Sequence, residues 1–202
     1  MNIHTADNHL YLSGTAMTGV EYSHSVKGRD YFTVKLAVTR LSGHDDVLTV
    51  ILPGETPGIE SIKKDGRFAV SGETRSHNNR TGEGSRLLIF AYAREIQICA
   101  APQDTNLIRL AGAACKEPVY RKTPLGREIC DLLMVVKRKY GRADYLPVIL
   151  WGKNARAAAA FSPGDRLAIE GRLQSRDYIK EIGDTSMVKT AIEISASEME
   201  IR

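Results

Sequence analysis

Tyr145 and Trp151 bracket the stretch of this chain with the clearest chemical potential, Tyr145-Leu146-Pro147-Val148-Ile149-Leu150-Trp151-Gly152-Lys153, a run that alternates like a β-strand and stops at a glycine. Successive side chains of a strand point to opposite faces, so Leu146, Val148 and Leu150 share one face while Tyr145, Pro147, Ile149 and Trp151 share the other. The first set reads as core. On the second, the two aromatic rings stand about 20 Å apart at roughly 3.3 Å per residue, which leaves room for a few flat rings to stack. An aromatic pair on one strand can equally cover the core of a barrel or sandwich, and the pair alone leaves both readings open.

Bond-making chemistry has no comparable support. The five histidines (His4, His9, His24, His44, His77) all fall in the first half, so the second half has none to serve a nucleophile or a metal. Cys99, Cys115 and Cys130 make an odd count without a C-x-x-C pair, which argues against a disulfide framework or zinc site and for small buried side chains. No nucleophile and base, and no paired carboxylates, recur at usable spacing. No enzyme activity, catalytic residue, metal or cofactor is therefore expected.

With 202 residues, 43% of them hydrophobic and 26% charged, the chain has ordinary globular composition and room for one large domain or two small ones. No apolar run approaches the roughly 20 residues that span a bilayer. The opening MNIHTADNHL lacks the basic start and apolar stretch of a signal peptide, so a cytoplasmic protein without membrane association is expected. Residues 1 to 100 hold 11 Lys/Arg against 11 Asp/Glu, and residues 101 to 202 hold 17 against 13. The whole formal charge of +4 thus belongs to the second half, a bias that favours a polyanionic partner.

An internal repeat organises the elements that position these residues. Asn8-His9-Leu10-Tyr11-Leu12-Ser13-Gly14 returns 98 residues later as Asn106-Leu107-Ile108-Arg109-Leu110-Ala111-Gly112. The same offset carries Tyr22 onto Tyr120, Gly28-Arg29-Asp30 onto Gly126-Arg127-Glu128, and Val50-Ile51-Leu52 with Gly54 onto Val148-Ile149-Leu150 with Gly152. One residue more aligns Arg67, Val70 and Gly72 with Arg166, Ile169 and Gly171, and a further insertion aligns Glu95 and Ile98 with Glu198 and Ile201. Two related domains follow, residues 1–99 and 106–202, joined by a polar, proline-containing linker over 100–105.

The first repeat reads as strands near 8–22, 29–40, 46–53, 67–75 and 86–98, separated by turn-rich segments at 23–28, 41–45 and 76–85. Between the third and fourth strands, Thr56-Pro57 opens a short helical stretch carrying Ile59 and Ile62. The second repeat has a clearer, alanine-rich helix there, Asn154 to Phe161, ended by Ser162-Pro163-Gly164. That order predicts an all-β chain of two tandem five-stranded OB-fold barrels, each with a short helix between strands 3 and 4. An SH3-like barrel is the alternative, disfavoured by the helix position.

From Asn106 to Ile201 an ordered set of motifs resembles the bacterial single-stranded DNA-binding protein family. Asn106 to Gly112 is similar to the family's opening strand, and Glu117-Pro118-Val119-Tyr120-Arg121 with Thr123-Pro124-Leu125-Gly126 to the turn that follows it. Val148 to Lys153 with Ala155 is similar to its third strand entering the helix, and Gly164 to Tyr178 to its G-x-x-V-x-V-E-G-x-L-x-[ST]-R-x-[WY] signature. The first repeat matches much less well.

The resemblance implies single-stranded DNA as partner, bound without sequence preference in replication, repair or recombination. It places base-stacking aromatics at Tyr145, Trp151, Tyr178 at the start of the last hairpin loop, and Tyr140 in the loop after strand two. Around them a phosphate track is expected from Arg121, Lys122, Arg127, Lys137, Arg138, Lys139, Arg142, Lys153, Arg172 and Arg176. At the positions matching Tyr145, Trp151 and Tyr178 the first repeat has Val47, Pro53 and Asn78, so it reads as a degenerate scaffold with at most weak contacts through Arg29, Arg40, Arg75 and Arg80. Grouping of four OB folds in the family implies a homodimer in the bacterial cytoplasm, associated with the nucleoid. Leu146 stands where the family usually has an interface histidine. The chain stops at Glu198-Met199-Glu200-Ile201-Arg202, within the expected last strand, so no acidic recruitment tail is expected. The rival readings are an RNA-binding or primosome-like OB protein, and an assembly module whose aromatics pack against protein.

Overall fold

Twelve strands and one helix make up the described residues of the computed structural model: 8–79, 86–98, 103–138, 141–182 and 185–202, with only the backbone described at 180–182 and 185. The first domain holds β1 (Asn8–Ala16), β2 (Glu21–Val26), β3 (Arg29–Thr39), β4 (Asp45–Pro53), β5 (Arg67–Asn78) and β6 (Leu87–Ile98). The second holds β7 (Thr105–Ala114), β8 (Val119–Lys122), β9 (Glu128–Lys137), β10 (Ala143–Trp151), α1 (Gly152–Ala158), β11 (Arg166–Ile182) and β12 (Thr185–Ile201).

Each domain closes into a barrel in the same way. β1 pairs β3 through Thr15 and Ala37 and pairs β5 from Leu10 to Thr15, while β4 runs parallel to β6 through Val50 and Ala91. β7 repeats the scheme with β9 and β11, and β10 runs parallel to β12 through Val148 and Ile194. This is the OB-fold strand order. The expected single first strand is broken at 17–20, so β1 and β2 are two halves of it, and β2 turns back into β3 at Lys27-Gly28, both in the left-handed region. Between β4 and β5 the helical stretch shrinks to one 3-10 turn, Ile59–Ser61, and α1 begins two residues before its expected start, at Gly152.

Alternation fills both barrels. Inward positions carry Leu10, Leu12, Val34, Leu36, Leu48, Val50, Leu52, Phe68 and Val70 in the first, and Ile108, Leu110, Leu132, Met134, Leu146, Val148, Leu150, Leu167 and Ile169 in the second, all essentially buried. Gly14 and Gly112 occupy equivalent crossings where a Cβ would fall 2.1 and 2.3 Å from the carbonyl oxygens of Ala37 and Val135. Only glycine lets β1 and β7 bend that closely over the neighbouring strand.

The domains join edge to edge. β1 pairs β7 antiparallel with Leu10 opposite Ile108, two residues that are themselves equivalent by the 98-residue offset, so the repeats are related by a pseudo-twofold axis through that pair. Two matching clusters lie either side of it. Asp46, whose side chain has 0% exposure, accepts from Arg40 Nε (2.7 Å), Arg40 Nη2 (2.5 Å), Ser175 N (2.7 Å) and Ser175 Oγ (3.2 Å), and Arg40 Nη2 donates to Ser175 O at 3.2 Å. Asp144, also at 0%, accepts from Arg138 Nε (2.6 Å), from Arg138 Nη2, and from Ser76 N (2.6 Å) and Ser76 Oγ (3.3 Å); Arg138 Nη2 donates to Ser76 O at 2.9 Å. Each Arg–Asp pair of one domain thus holds one serine of the other. Of the expected linker, Asp104 is tied down, accepting from Thr39 N at 2.7 Å and Arg67 Nη2 at 2.6 Å.

Candidate nucleic-acid interface

The outward face of β10 follows from its sequence. Burial alternates as expected, with Leu146, Val148 and Leu150 inside and Tyr145, Pro147, Ile149 and Trp151 outside. Tyr145 is 42% exposed and Trp151 37% exposed, values that leave a ring face open while the strand anchors the side chain. At Trp151 the indole N–H donates to Ser195 Oγ at 3.1 Å, which fixes the ring, and Ser195 belongs to β12, the strand parallel to β10. Beside it an open cavity of about 530 Å³ is lined by Trp151, Asn106, Arg127, Arg172 and Ser195 among others. Arg172 lies opposite Ser195 across β11 and β12, and Arg127 comes from the β8–β9 turn, so three separate segments bring two guanidiniums to the indole. An aromatic ring flanked by arginines, open on one side, suits a flat anionic ligand such as a nucleotide.

The other expected residues divide. Lys122, Lys137, Arg142 and Lys153 are exposed, as a phosphate track requires. Arg121 is paired with Asp131 at 2.7 Å, and Arg176 lies 3.4 Å from Glu193, itself a hydrogen-bond partner of the buried Gln174. Arg138 is a correction: its guanidinium is spent on Asp144 and Ser76 at the domain junction. Arg40, expected as a weak contact in the first domain, is engaged in the same way with Asp46. Tyr178 is half-buried inside β11, opposite Lys189, because β11 and β12 run on as a long two-stranded ribbon; it is not at the start of a loop. Lys139, Tyr140, Arg80 and Cys99 lie outside the described residues. Burial, then the neighbouring Asp131, push the Cys130 thiol up, so it stays protonated at neutral pH.

Two features were missed by position-by-position reading. One is the pair of Arg–Asp–Ser clusters. The other is the first domain's face equivalent to that of β10. Pro53 and Val47 replace the aromatics there, but the strands on either side supply others: Tyr31 on β3 lies opposite Pro53, and Tyr92 on β6 lies opposite Ile51.

Two side-by-side OB barrels, one presenting exposed aromatics among arginines, define a tandem OB-fold protein. Residues 105–202 match the model of the single-strand binding protein family. The chain is 30% identical over 102 residues to "Single-stranded DNA-binding protein 3" of Clostridium acetobutylicum, covering 47% of this chain and 69% of that protein. It is 31% identical over 85 residues to "Single-stranded DNA-binding protein B" of Bacillus subtilis, covering 39% and 75%. With the single-stranded DNA-binding protein of Clostridium tetani it shares 31% identity over 94 residues, 43% of this chain and 65% of that one. The chain belongs to the single-strand binding protein family. In fold, the crystal structure of the wild-type single-stranded DNA binding protein from Thermus aquaticus superposes with a TM-score of 0.77 at 20% identity, covering 96% of this chain and 92% of that one, so the likeness extends over both barrels.

Proposed function

We propose that the protein binds single-stranded DNA without sequence preference, with Tyr145 and Trp151 as stacking platforms, and performs no chemistry of its own. The observation that carries this is the outward, partly open Trp151 ring beside Arg127 and Arg172. Base stacking supplies sequence-tolerant contact and the cations pair with phosphates. Lys122, Lys137, Arg142 and Lys153 extend the track, Arg121, Arg176 and Tyr178 border it, and family membership supports the ligand. The setting is the bacterial cytoplasm, on DNA exposed during replication, repair or recombination.

Trp151 is the single tryptophan, so intrinsic fluorescence reports this face alone. Titration with dT oligomers should quench it, Trp151→Ala should cost about 1 to 3 kcal/mol of binding, and affinity should fall with salt at a log–log slope of about −0.7 per phosphate neutralised. Unquenched fluorescence at saturating DNA would refute the assignment. Equal-length oligo-U as competitor tests the RNA reading.

Assembly is a homodimer presenting four OB barrels. Its supporting feature is the outer face of the sheet β6-β5-β1-β7-β11-β12, where the half-buried Tyr11 and Leu107 lie opposite each other at the centre. Light scattering should return twice the 22.3 kDa chain mass, and a monomer at micromolar concentration would exclude it.

A further inference from the structure

We propose that the first domain carries a second site for single-stranded DNA, built from aromatics on β3 and β6 rather than on β4. The inference rests on the reading of the second domain as DNA-binding, and adds to it a location that the repeat alignment does not reveal.

Tyr31, Thr33 and Lys35 alternate outward on β3, Ile51 and Pro53 on β4, Tyr92 on β6, and Glu73 and Arg75 on β5. These positions form the same barrel face that bears Tyr145 and Trp151 in the second domain: Tyr31 corresponds to Ile129, the residue opposite Trp151, and Tyr92 to Ser195, which holds the Trp151 indole. Aromatic surface lost from β4 has thus been replaced from both neighbouring strands. The Tyr31 and Tyr92 rings lie 6.5 Å apart at 49°, and the exposed His24 ring stacks on Tyr31 at 4.9 Å and 11°, extending the array outward. Beneath it Val34, Leu36, Val50, Leu52, Ala91 and Ala93 already complete the core, so the rings are not needed to close the barrel.

Cations complete the surface. The Arg75 guanidinium sits 3.5 Å over the Tyr92 ring centre and that of Arg94 5.1 Å from it. Glu73 grips both, accepting from Nε and Nη2 of Arg75 (3.1 and 2.8 Å) and of Arg94 (2.9 and 2.6 Å). Two arginines and one glutamate leave a local charge of +1, and the Arg94 side chain remains 53% exposed. Glu73 therefore fixes the orientation of the guanidiniums without cancelling them, and their outer edges can meet phosphate while the exposed His24 ring and the uncovered parts of the half-buried Tyr31 and Tyr92 rings meet bases. Arginine and aromatic rings interleaved on an outward OB face fit a single strand better than a folded partner, because each element serves one repeating part of the nucleotide.

Photocrosslinking of the intact protein to a dT oligomer long enough to span both domains, carrying 5-iododeoxyuridine, tests this directly. Crosslinked peptides containing His24, Tyr31 or Tyr92 are expected alongside those containing Tyr145 or Trp151. Crosslinks confined to the second domain would overturn the proposal and mark the cluster as a self-contained cap. Absence of crosslinks at Tyr145 and Trp151 would instead overturn the reading on which it rests. The double variant Tyr31→Leu/Tyr92→Leu should bind the long oligomer about tenfold or more weakly, on the scale of one lost stacked base, while a short oligomer still quenches Trp151 as in the parent. Unchanged affinity for the long oligomer would count against the site. Should that variant fail to fold, the crosslinks on the unaltered chain decide.

Discussion

Asp46→Ala should destabilise the domain it does not belong to. The carboxylate has no solvent exposure and accepts four hydrogen bonds, two from Arg40 and two from Ser175 across the domain boundary. Removing one partner of a buried ion pair costs about 3 to 5 kcal/mol. Here the Arg40 side chain is 24% exposed and can regain some water, which lowers the figure. The Ser175 backbone N–H loses its acceptor in a half-buried site, which costs about 1 to 3 kcal/mol. A net loss of about 3 kcal/mol follows, and at about 2 to 4 °C per kcal/mol for a chain of this size the thermal midpoint should drop by about 6 to 12 °C. The assay is urea or thermal unfolding followed in parallel by Trp151 fluorescence and far-ultraviolet circular dichroism. Trp151 lies in the second domain, so a shift of its transition by a substitution in the first measures coupling. Glu55→Ala, an exposed carboxylate of the first domain, is the control and should stay within about 0.5 kcal/mol. If Asp46→Ala leaves the Trp151 transition in place while circular dichroism falls in two steps, the domains unfold independently and the cluster does not couple them.

Acid should weaken the first domain together with its junction. Burial pushes the Asp46, Glu73 and Asp104 carboxyls up, but hydrogen bonds from Arg40 and Ser175, from Arg94 and Arg75, and from Thr39 and Arg67 outweigh it and hold all three below their ordinary values. A depressed folded-state pKa gives stability that is present above the unfolded value of about 4 and is lost as pH falls through the folded one, so the urea midpoint should be level from pH 7 to 5 and fall below about pH 4; a midpoint that rises on acidification would contradict this. Gly112→Ala should cost about 1 to 3 kcal/mol or more, since its Cβ meets a backbone oxygen at 2.3 Å, whereas Gly19→Ala, with nothing within 4 Å, should be close to neutral in the same urea titration.

The repeat made the fold legible, because offsets of 98 and 99 carry the alternating core positions of one barrel onto the other. Arg40 and Asp46 map onto Arg138 and Asp144 at 98, and Ser76 onto Ser175 at 99, so the junction too was written in the sequence. Local sequence does not show it, because a loop cation that faces solvent and one that faces a neighbouring domain have the same local pattern. That is why the expectation of Arg138 on the DNA track differs from its place at the junction. Tyr178 departs from expectation for a related reason: a polar, charged segment such as Ser175-Arg176-Asp177-Tyr178 reads as loop, yet pairing with β12 holds it as a strand. The first domain's aromatic face escaped because comparison by position finds a lost aromatic but not its replacement one strand away.

The two halves agree where they touch and differ where they face outward. Asn8 and Asn106 each clamp their own barrel in the same way, Asn8 on Thr74 and Asn106 on Leu173, through paired bonds of 2.7 to 2.9 Å, and the Arg–Asp–Ser clusters match residue for residue. Around a pseudo-twofold axis a substitution in one half meets the unaltered counterpart in the other, so a change in one cluster leaves one intact cluster and one buried group without its partner. The outer faces carry no such penalty. Tyr31 and Tyr92 sit where the other half has Ile129 and Ser195, and Glu73 where it has Arg172. In a dimer of identical chains every substitution would appear on both faces at once. Joining the barrels in one chain removes that constraint, which permits two differently built faces on a single rigid pair.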